Sequence, residues 1–455
     1  MPSIHDLSAA EISAAYASAE LSPVEVTRTL LARIDAWEPR LNAMYRIDRE
    51  GALRQARDAE ARWRVQAPLS ALDGVPVTIK ENIATRGDPA PAGSPPQPAD
   101  APPAARLREA GCVILGKTTM PDYGMLSAGV SSAHGVTRNP WNTAKNTSGS
   151  SAGAGAAAAA GYAPLHLGTD IGGSVRLPAT HCGVFALKPS LGRVPVYPPY
   201  MGRVTGPMTR DVEAAALMMN WLSLPDERDF MSLPYRAVDF AAGLDDLDLR
   251  KLKIGLLPDM RAGLPVHAQV RAAAQAAGRA LESAGAKVEE MTSFLTPEML
   301  DGMGRFFEAR SYNDFVQLPP ERQKKVLPFI AEWCSWRAKS FSGRDVMQAY
   351  GQVIALREAT VAACRPYDFV LTPTSPILPY EAELPCPGND PHDALPHIAF
   401  TMPFNMSEQP AASVNWTFSA DGLPIGVQLI GQRFDDAGVL KLSRKIEMLR
   451  PTQRP

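Results

Sequence analysis

The chain has 455 residues, of which 46 are basic, 48 are acidic and 45% are hydrophobic. Its formal net charge of −2 argues against a basic surface for nucleic acid or an anionic membrane, and no apolar run is long enough to predict a membrane-spanning helix. The five cysteines are scattered and include no C-x-x-C pair, which argues against a disulfide framework and a zinc site.

The N-terminal segment is predicted to be helical. It has neither the basic stretch nor the apolar core of a secretory signal, so we expect a cytoplasmic protein. Ser8 and Glu11 have the spacing of a capping box, and Ser22 precedes a proline suited to a first helical position. Residues 75–79 then form a β-rich run that ends at Lys80, and the proline-dense stretch 89–103 is expected to be loop.

From residue 112 onwards, strand-like and helix-like patterns alternate. The predicted strands are 112–115, 165–167, 184–187, 252–257, 287–290, 369–371 and 425–430. The predicted helices are 152–160, 266–283 and 435–449. The alternation predicts a single α/β domain over residues 1–455, an α/β/α sandwich around a large mixed, mostly parallel sheet. Residues 225–366 are rich in helical patterns and are expected to form a variable cap within that domain.

The window 146–178 combines serines with very small residues. Ser150 and Ser151 precede an alanine-rich helix, and Ser174 follows two glycines after a predicted strand. Glycines beside a serine let a substrate approach the backbone and leave N–H groups free to stabilise an oxyanion. Runs rich in serine and glycine are otherwise typical of turns and linkers, but strand patterns enclose this one on both sides. The glycine motifs of phosphate-binding loops are absent.

A serine nucleophile needs a base. The G-x-S-x-G pattern of α/β hydrolases does not occur at Ser174. The nearest histidines, each more typical of an ordinary packed or surface residue, are His134, His166 and His181. Lys80 is another candidate, because burial at a strand end would lower its pKa and leave a neutral amine that accepts a proton. Composition alone does not distinguish Lys80 from three other lysines as the base: Lys117, Lys145 and Lys188.

Six motifs decide between these candidates. They are GVPVTIKEN at 74–82, GKT at 116–118, RNPW at 138–141, GSS at 149–151, GTDIGGSVRLPA at 168–179 and CG at 182–183. With them, the chain resembles the amidase signature family of serine hydrolases over residues 7–449. The resemblance implies an amidase-type enzyme with the family's α/β/α fold and without a metal or organic cofactor.

The family's catalytic residues carry over onto matching positions. The resemblance implies that Ser174 is the acylated nucleophile, that Ser150 relays its proton from a cis peptide, and that Lys80 is the base. It implies an oxyanion hole formed by backbone N–H groups, those of Ile171, Gly172, Gly173 and Ser174. It implies a pocket-lining position at Gly124 and supporting positions at Ser151, Asp170 and Arg176. The chain departs from the family pattern at Glu81, which replaces aspartate, and at Ser148 and Ala152, which replace glycines.

Three functions follow as alternatives. The first is an amidohydrolase that cleaves small, largely apolar amides, carbamates or esters, as a monomer or homodimer with no nucleic-acid or membrane partner. The second is the glutamine-dependent amidotransferase subunit that works with partner proteins, although residues 303–336 do not resemble the segment expected of it. The third is an inactive binding scaffold, which the intact lysine and two serines disfavour.

The substrate pocket is expected to be shaped by the poorly shared segments 195–205, 300–340 and 375–405. Their aromatic residues and methionines favour a hydrophobic ligand, because a buried charge without a counter-ion is costly. An acidic substrate would need a cationic partner, for which the candidates are Arg193, Arg203 and Arg305.

Overall fold

Strands and helices alternate through most of the chain in the computed structural model, which describes residues 3–89 and 94–453. Its strands are β1 (Met44–Ile47), β2 (Pro76–Lys80), β3 (Val113–Thr118), β4 (Val130–Ser131), β5 (Gly135–Val136), β6 (Arg138–Asn139), β7 (Asn142–Asn146), β8 (Leu165–Asp170), β9 (Phe185–Lys188), β10 (Val204–Thr209), β11 (Lys253–Leu256), β12 (Lys287–Glu290), β13 (Phe369–Pro373), β14 (Ala411–Phe418) and β15 (Pro424–Gly431). Its helices are α1 (Ala9–Ala17), α2 (Pro23–Leu41), α3 (Arg49–Arg64), α4 (Pro102–Glu109), α5 (Ala152–Ala159), α6 (Arg176–Cys182), α7 (Val212–Leu222), α8 (Ala268–Ser283), α9 (Pro297–Val316), α10 (Pro320–Gln323), α11 (Pro328–Ser335), α12 (Gly343–Cys364), α13 (Met402–Met406) and α14 (Asp436–Leu449).

Eleven strands form one central sheet in the order β1-β3-β2-β8-β10-β9-β14-β15-β13-β11-β12. The pairings β3–β2, β2–β8, β13–β11 and β11–β12 are parallel, and the other six are antiparallel. The predicted mixed sheet is therefore confirmed, but the prediction that it is mostly parallel is wrong. The cause lies in β10 and β14, which the sequence patterns did not predict. No helix separates β9 from β10, and a short turn joins β14 to β15, whereas parallel neighbours need long crossover connections.

Helices cover both faces of the sheet, as predicted. One face carries a core in which α2, α3, α7, α8 and α14 contribute buried apolar residues. The other face is covered by α5 and α6 near the middle, and by α9, α11, α12 and α13 beside them. Strand β13 illustrates the division, since Phe369 and Leu371 join the first core and Val370 joins the second. This alternation is what a strand with a period of two imposes on a sheet buried on both sides.

Local sequence signals explain several helix ends. Ser8 and Glu11 form the predicted capping box at α1, and the Ser22 side chain caps α2 directly before a proline. The proline-dense stretch was predicted as loop to residue 103, but α4 already begins at Pro102, a position where the missing N–H of proline is harmless. Residues 90–93 of that stretch lie outside the described residues.

Helix α5 is made of alanine and glycine because its surroundings leave no room for larger side chains. A Cβ atom at Gly153 would collide with the Ala43 carbonyl, and one at Gly155 would lie 3.0 Å from Pro178 Cβ. The helix is almost entirely buried, and its N-terminus points Ser150 and Ser151 toward the end of β2.

The range 225–366, predicted as a cap, contains two kinds of structure. Its first part holds β11, α8 and β12, which belong to the central sheet and its covering layer. Its second part is helical, from α9 to α12, and its buried aromatic residues include Phe307 and Trp333. The variable cap remains a prediction, and these four helices are the part of the range that lies outside the sheet.

Candidate active site

Lys80 ends β2, an inner strand of the sheet whose five residues are all buried. Its side-chain nitrogen reaches a cluster of three hydroxyl groups from two other segments. Lys80 Nζ lies 2.8 Å from Ser150 Oγ, 3.0 Å from Ser151 Oγ and 2.9 Å from Thr169 Oγ1. Thr169 precedes the last residue of β8, the parallel neighbour of β2, so the sheet register itself brings this partner to Lys80.

The surroundings of Lys80 favour its neutral form. Burial lowers the pKa of Lys80 well below its ordinary value, and the nearby charge of Arg203 lowers it further. Asp170 and Glu81 oppose the shift without reversing it. A charged lysine loses its hydration when it is buried, so burial shifts the equilibrium of Lys80 towards the amine without its proton.

Ser150 and Ser151 lie in the turn that leads into α5. The Gly149–Ser150 peptide bond is cis, as the family resemblance implied. A Cβ atom at position 149 would lie 2.5 Å from the Ala128 carbonyl oxygen, so only glycine fits there. The Ser151 N–H donates to the Ser174 carbonyl at 3.1 Å, and this bond joins the turn to the loop that carries Ser174.

The loop 171–175 connects β8 to α6 and is held by Asp170. Its carboxylate accepts hydrogen bonds from the backbone N–H groups of Gly173 at 2.7 Å and Val175 at 3.1 Å. It also forms a bidentate ion pair with Arg176, with both N···O distances at 3.0 Å. Both side chains are fully buried. Burial would raise the pKa of Asp170, but the Arg176 charge and hydrogen bonds from Arg176 and Asn405 outweigh it and hold the pKa below its usual range.

The C-terminal half of the chain completes this support. Arg176 donates to the Thr401 carbonyl at 2.9 Å and to Gln428 Oε1 at 2.6 Å, and Asn405 Nδ2 donates to Asp170 at 2.8 Å. Thr401 Oγ1 donates to the Gly172 carbonyl at 2.6 Å and occupies the space that a Cβ atom at Gly173 would need. Sequence reasoning missed Thr401, Asn405 and Gln428, which lie more than 200 residues from the loop and carry no local motif.

Asn82 and Thr169 were also missed as site residues, although both lie inside quoted motifs. Asn82 Nδ2 donates to Thr169 Oγ1 at 3.1 Å, so it fixes the hydroxyl that contacts Lys80. The motif blocks 74–82 and 168–179 contained the signal that identifies them.

A cavity of about 330 Å³ opens onto these groups. Its wall contains Ser150, Ser174, Ile171, Asp170, Asn82, Thr169, Gly124, Met120, Tyr123, Arg203, Arg310, Asp314, Gln317 and Leu318. Gly124 has a positive φ of 69°, and a Cβ atom there would lie 3.4 Å from Ser150 Oγ. A side chain at that position would therefore narrow the cavity next to the serine.

A smaller cavity of about 40 Å³ adjoins Ser174 and Gly172. Its wall is mostly apolar, with Met125, Leu126, Phe307, Trp333, Leu395 and Ile398, and it also contains Ser127 and Arg310. Ser174 thus lies between a mixed, partly charged cavity and a small, mostly apolar one, and Arg310 borders both.

The other candidate bases from the sequence lie outside the cluster around Lys80. His134 lies 2.9 Å from Glu81, His166 contacts Thr78 Oγ1 at 2.7 Å, and His181 is buried without a hydrogen-bond partner among the described residues. Lys117 donates to the Ile83 carbonyl, Lys145 pairs with Glu381 and Lys188 donates to the Pro189 carbonyl. Of the candidate counter-ions, Arg193 pairs with Asp436 and Arg305 with Asp301, whereas Arg203 lines the larger cavity.

Two broader searches gave negative results within residues 3–89 and 94–453. No group of three or more His, Cys, Asp or Glu side chains is arranged to hold a metal ion there. None of the helices in that part of the chain is both long and apolar enough to cross a membrane.

Comparison with known proteins places the chain in a family. Residues 25–440 match the sequence model of the family described as Amidase. The acylamidase of Rhodococcus erythropolis is 32% identical over 462 residues, covering 98% of this chain and 96% of the relative. A glutamyl-tRNA(Gln) amidotransferase subunit of Chloroflexus aggregans is 34% identical over 490 residues, covering 97% and 96% respectively.

The fold supports the same assignment. The crystal structure of a bacterial aryl acylamidase of the amidase signature enzymes superposes with a TM-score of 0.90 at 28% identity, covering 99% of this chain and 97% of that one. Together, the matched family, the aligned relatives and the close structural superposition lead to one conclusion: the chain belongs to the amidase signature family.

Proposed function

We propose that this chain is a serine-dependent amidohydrolase in which Ser174 forms the acyl-enzyme and Ser150 and Lys80 transfer its proton. One observation carries the proposal. The fully buried amine of Lys80, whose pKa is well below its ordinary value, lies 2.8 Å from Ser150 Oγ, and Ser150 shares a cavity with Ser174. A neutral amine beside a hydroxyl is the arrangement that a lysine base requires.

The hydrogen bonds around Lys80 support the direction of proton transfer. A neutral amine has two N–H donors and one lone pair, and Nζ has three hydroxyl neighbours within 3.0 Å. Ser151 Oγ donates to the Thr169 carbonyl at 3.2 Å, so it accepts from Nζ. In the proposed relay Thr169 Oγ1 accepts the second N–H at 2.9 Å, which leaves the lone pair for Ser150, whose hydroxyl donates to it and in turn accepts the proton of Ser174.

The proposed reaction has two halves. In the first, Ser174 Oγ attacks the amide carbonyl, its proton passes through Ser150 to Lys80, and an ester bond to Ser174 forms. The C–N bond then breaks and the same relay returns the proton to the leaving amine. In the second half, water replaces the amine: it loses a proton to the relay, attacks the ester carbonyl and releases the carboxylic acid and free Ser174.

Backbone N–H groups of the loop 171–175 are the proposed oxyanion donors. One of the four donors expected from the family resemblance is excluded. The N–H of Gly173 already donates to Asp170 at 2.7 Å and so holds the loop. We therefore assign the role to the N–H groups of Ile171, Gly172 and Ser174. Such donors contribute among the largest rate terms in acyl transfer.

Covalent labelling tests the nucleophile. A fluorophosphonate should modify the wild-type chain once, with the adduct on Ser174 by mass spectrometry, and Ser174→Ala should not be labelled. Ser132→Ala, which changes an exposed serine, is the matched control and should be labelled as the wild type. An adduct on Ser151 or Ser127 would overturn the assignment.

The amidotransferase subunit remains the second candidate because a relative of that name is 34% identical over nearly the whole chain. The two functions differ in substrate and partners. A free-standing amidohydrolase should cleave aryl amides, carbamates or esters as the purified single chain, without nucleic acid or membrane. Activity confined to glutamine, or dependent on a co-purifying partner protein, would favour the second candidate.

A further inference from the structure

We propose that the substrate is an amide whose leaving amine carries a carboxylate, which Arg203 and Arg310 bind, and whose acyl group is short and apolar. This inference rests on the proposed hydrolase function and adds a substrate class to it. An N-acylated amino acid or aminobenzoate has this chemistry.

Arg203 faces the larger cavity with little to neutralise it. The residue is half-buried in the wall that also contains Ser150 and Ser174. Among the described residues, its guanidinium has one hydrogen bond, a long one of 3.5 Å from Nη1 to the Pro198 carbonyl. An arginine has five N–H donors in a planar fork that suits a carboxylate, so most of that capacity is available to a ligand.

Arg310 extends the cationic surface. It projects from α9 into the same cavity, with its guanidinium 4.7 Å from the centre of the Tyr200 ring. Its carboxylate neighbour is Asp314, with an Nε···Oδ2 distance of 4.0 Å, the limit of an ion pair. Arg203, Arg310 and Asp314 also line a neighbouring cavity of about 570 Å³, so these charged groups border two cavities.

The charges of this wall do not balance. Two guanidinium groups face one carboxylate, because the other acidic residue of the wall, Asp170, is already paired with Arg176. Burial and then the Arg310 charge lower the pKa of Arg203 to about 10, and Asp314 opposes this shift only in part. Arg203 therefore stays protonated at neutral pH and retains a positive charge that a carboxylate would neutralise.

The position of Ser150 assigns the anion to the leaving amine. In the proposed reaction Ser150 returns the proton to the leaving nitrogen, so the amine must lie on the side of Ser150. Ser150 and Arg203 line the larger cavity and not the smaller one, whereas Arg310 borders both, so Arg203 places the anion on the side of Ser150. The acyl group then faces the small apolar cavity beside Gly172 and Ser174, which has room for only a few carbon atoms.

Matched substrates test the charge. We would compare 4-acetamidobenzoate with 4-acetamidoacetophenone, in which a methyl ketone replaces the carboxylate, and with 4-acetamidobenzylamine, which is cationic. The ketone is the better intrinsic leaving group, so a higher kcat/KM for the carboxylate would reflect binding of its charge. We expect kcat/KM to decrease in the order carboxylate, ketone, ammonium. The preference for the carboxylate should weaken as salt is added.

Matched variants test the residues. Arg203→Gln should lower kcat/KM for 4-acetamidobenzoate by about 10- to 100-fold more than it lowers kcat/KM for the ketone, since a hydrogen-bonded charge usually contributes that much, when both are measured at a pH where activity is maximal. Asp314→Asn should increase the preference for the carboxylate over the ketone, because it removes a carboxylate that competes for the arginines. Arg279→Gln, which changes an exposed arginine on α8, is the control and should leave the preference unchanged.

The possible results distinguish failure of the anion site from failure of the proposed hydrolase function. Equal rates for carboxylate and ketone, or equal losses on both in Arg203→Gln, would overturn the anion site while leaving Ser174 catalysis intact. Preference for an acyl-side anion, as in succinanilate or glutamine, would overturn the assignment to the leaving amine. Absence of hydrolysis together with absence of Ser174 labelling would instead refute the hydrolase function itself.

Discussion

Burial alone does not distinguish Lys80 from the other buried lysines. Burial also lowers the pKa of Lys117 and of Lys188, in each case to about 7. What differs is the partner, since these two donate to backbone carbonyls whereas Lys80 meets three hydroxyls. Sequence reasoning identified Lys80 only through the family motifs. Its partners depend on the β2–β8 pairing and on the turn before α5, which composition does not reveal.

The first prediction concerns this amine. Activity should rise with pH through one ionisation well below about 10.4, the ordinary lysine value, because the form without its proton is the base. Lys80→Met should lower kcat by about 100-fold or more, the usual contribution of a general base. Lys188→Met removes a second buried lysine and is the matched control, which should lower kcat far less. A pH–rate profile that persists in Lys80→Met would contradict the assignment.

Arg203 provides an independent check on the same ionisation. Its charge lowers the pKa of Lys80, so Arg203→Gln should raise that pKa. The acidic limb of the pH–rate profile for the neutral ketone substrate should then move to higher pH, while the rate at maximal activity stays similar. A variant that merely loosened the fold would lower the whole profile without moving it.

At the scale of elements, regular patterns were predicted well and interrupted ones were not. The predicted segments 75–79, 165–167, 287–290 and 435–449 correspond to β2, β8, β12 and α14, and the side chain of Asp435 caps α14. Strand β10 was missed because Gly206 and Pro207 interrupt it, and proline is rare in central strands. The structure accommodates Pro207 since the β9 ladder covers only Met208 and Thr209, which leaves Pro207 paired with β8 alone.

Thr401, directly before α13, tests how remote elements position the nucleophile loop. Thr401→Val keeps the volume of the side chain but removes the hydrogen bond to the Gly172 carbonyl, which would remain buried without that donor. We expect a loss of about 1–3 kcal/mol in the free energy of unfolding, measured in urea, and a lower kcat with little change in KM. Thr401→Ser retains the hydroxyl and should restore both. A change in KM alone would exclude this positioning role.

At the scale of the whole molecule, acid should destabilise the fold through its buried histidines. Burial lowers the pKa of His166 and of His181 to about 3 and that of His397 to about 4, and the His397 charge contributes at His181. The unfolded chain binds these protons near pH 6.5, whereas the folded chain does not. Stability should therefore be complete above that pH and decrease as the pH falls towards 4.

Each such histidine should reduce the free energy of unfolding by about 2 kcal/mol between pH 8 and pH 5. His397→Gln should remove one of these contributions, so its stability should fall less steeply with acid than that of the wild type. Urea unfolding at the two pH values measures the difference, with His5→Gln as the matched control. An unchanged slope in His397→Gln would contradict the prediction.

Because the nucleophile loop depends on Thr401, Asn405 and Gln428, the N-terminal half of the chain should not be active as a separate fragment. Every motif that identifies the family, and every member of the proposed triad, lies before residue 184. An N-terminal fragment ending near residue 225 would carry all of them and still lack the groups that Arg176 and Asp170 contact from the other half. It would expose a buried ion pair to water and leave Ser174 on an unsupported loop. The part of the sequence that is enough to assign the chain to its family is thus too short to be catalytically active. Mutations far outside the motifs can abolish activity while every motif stays unchanged.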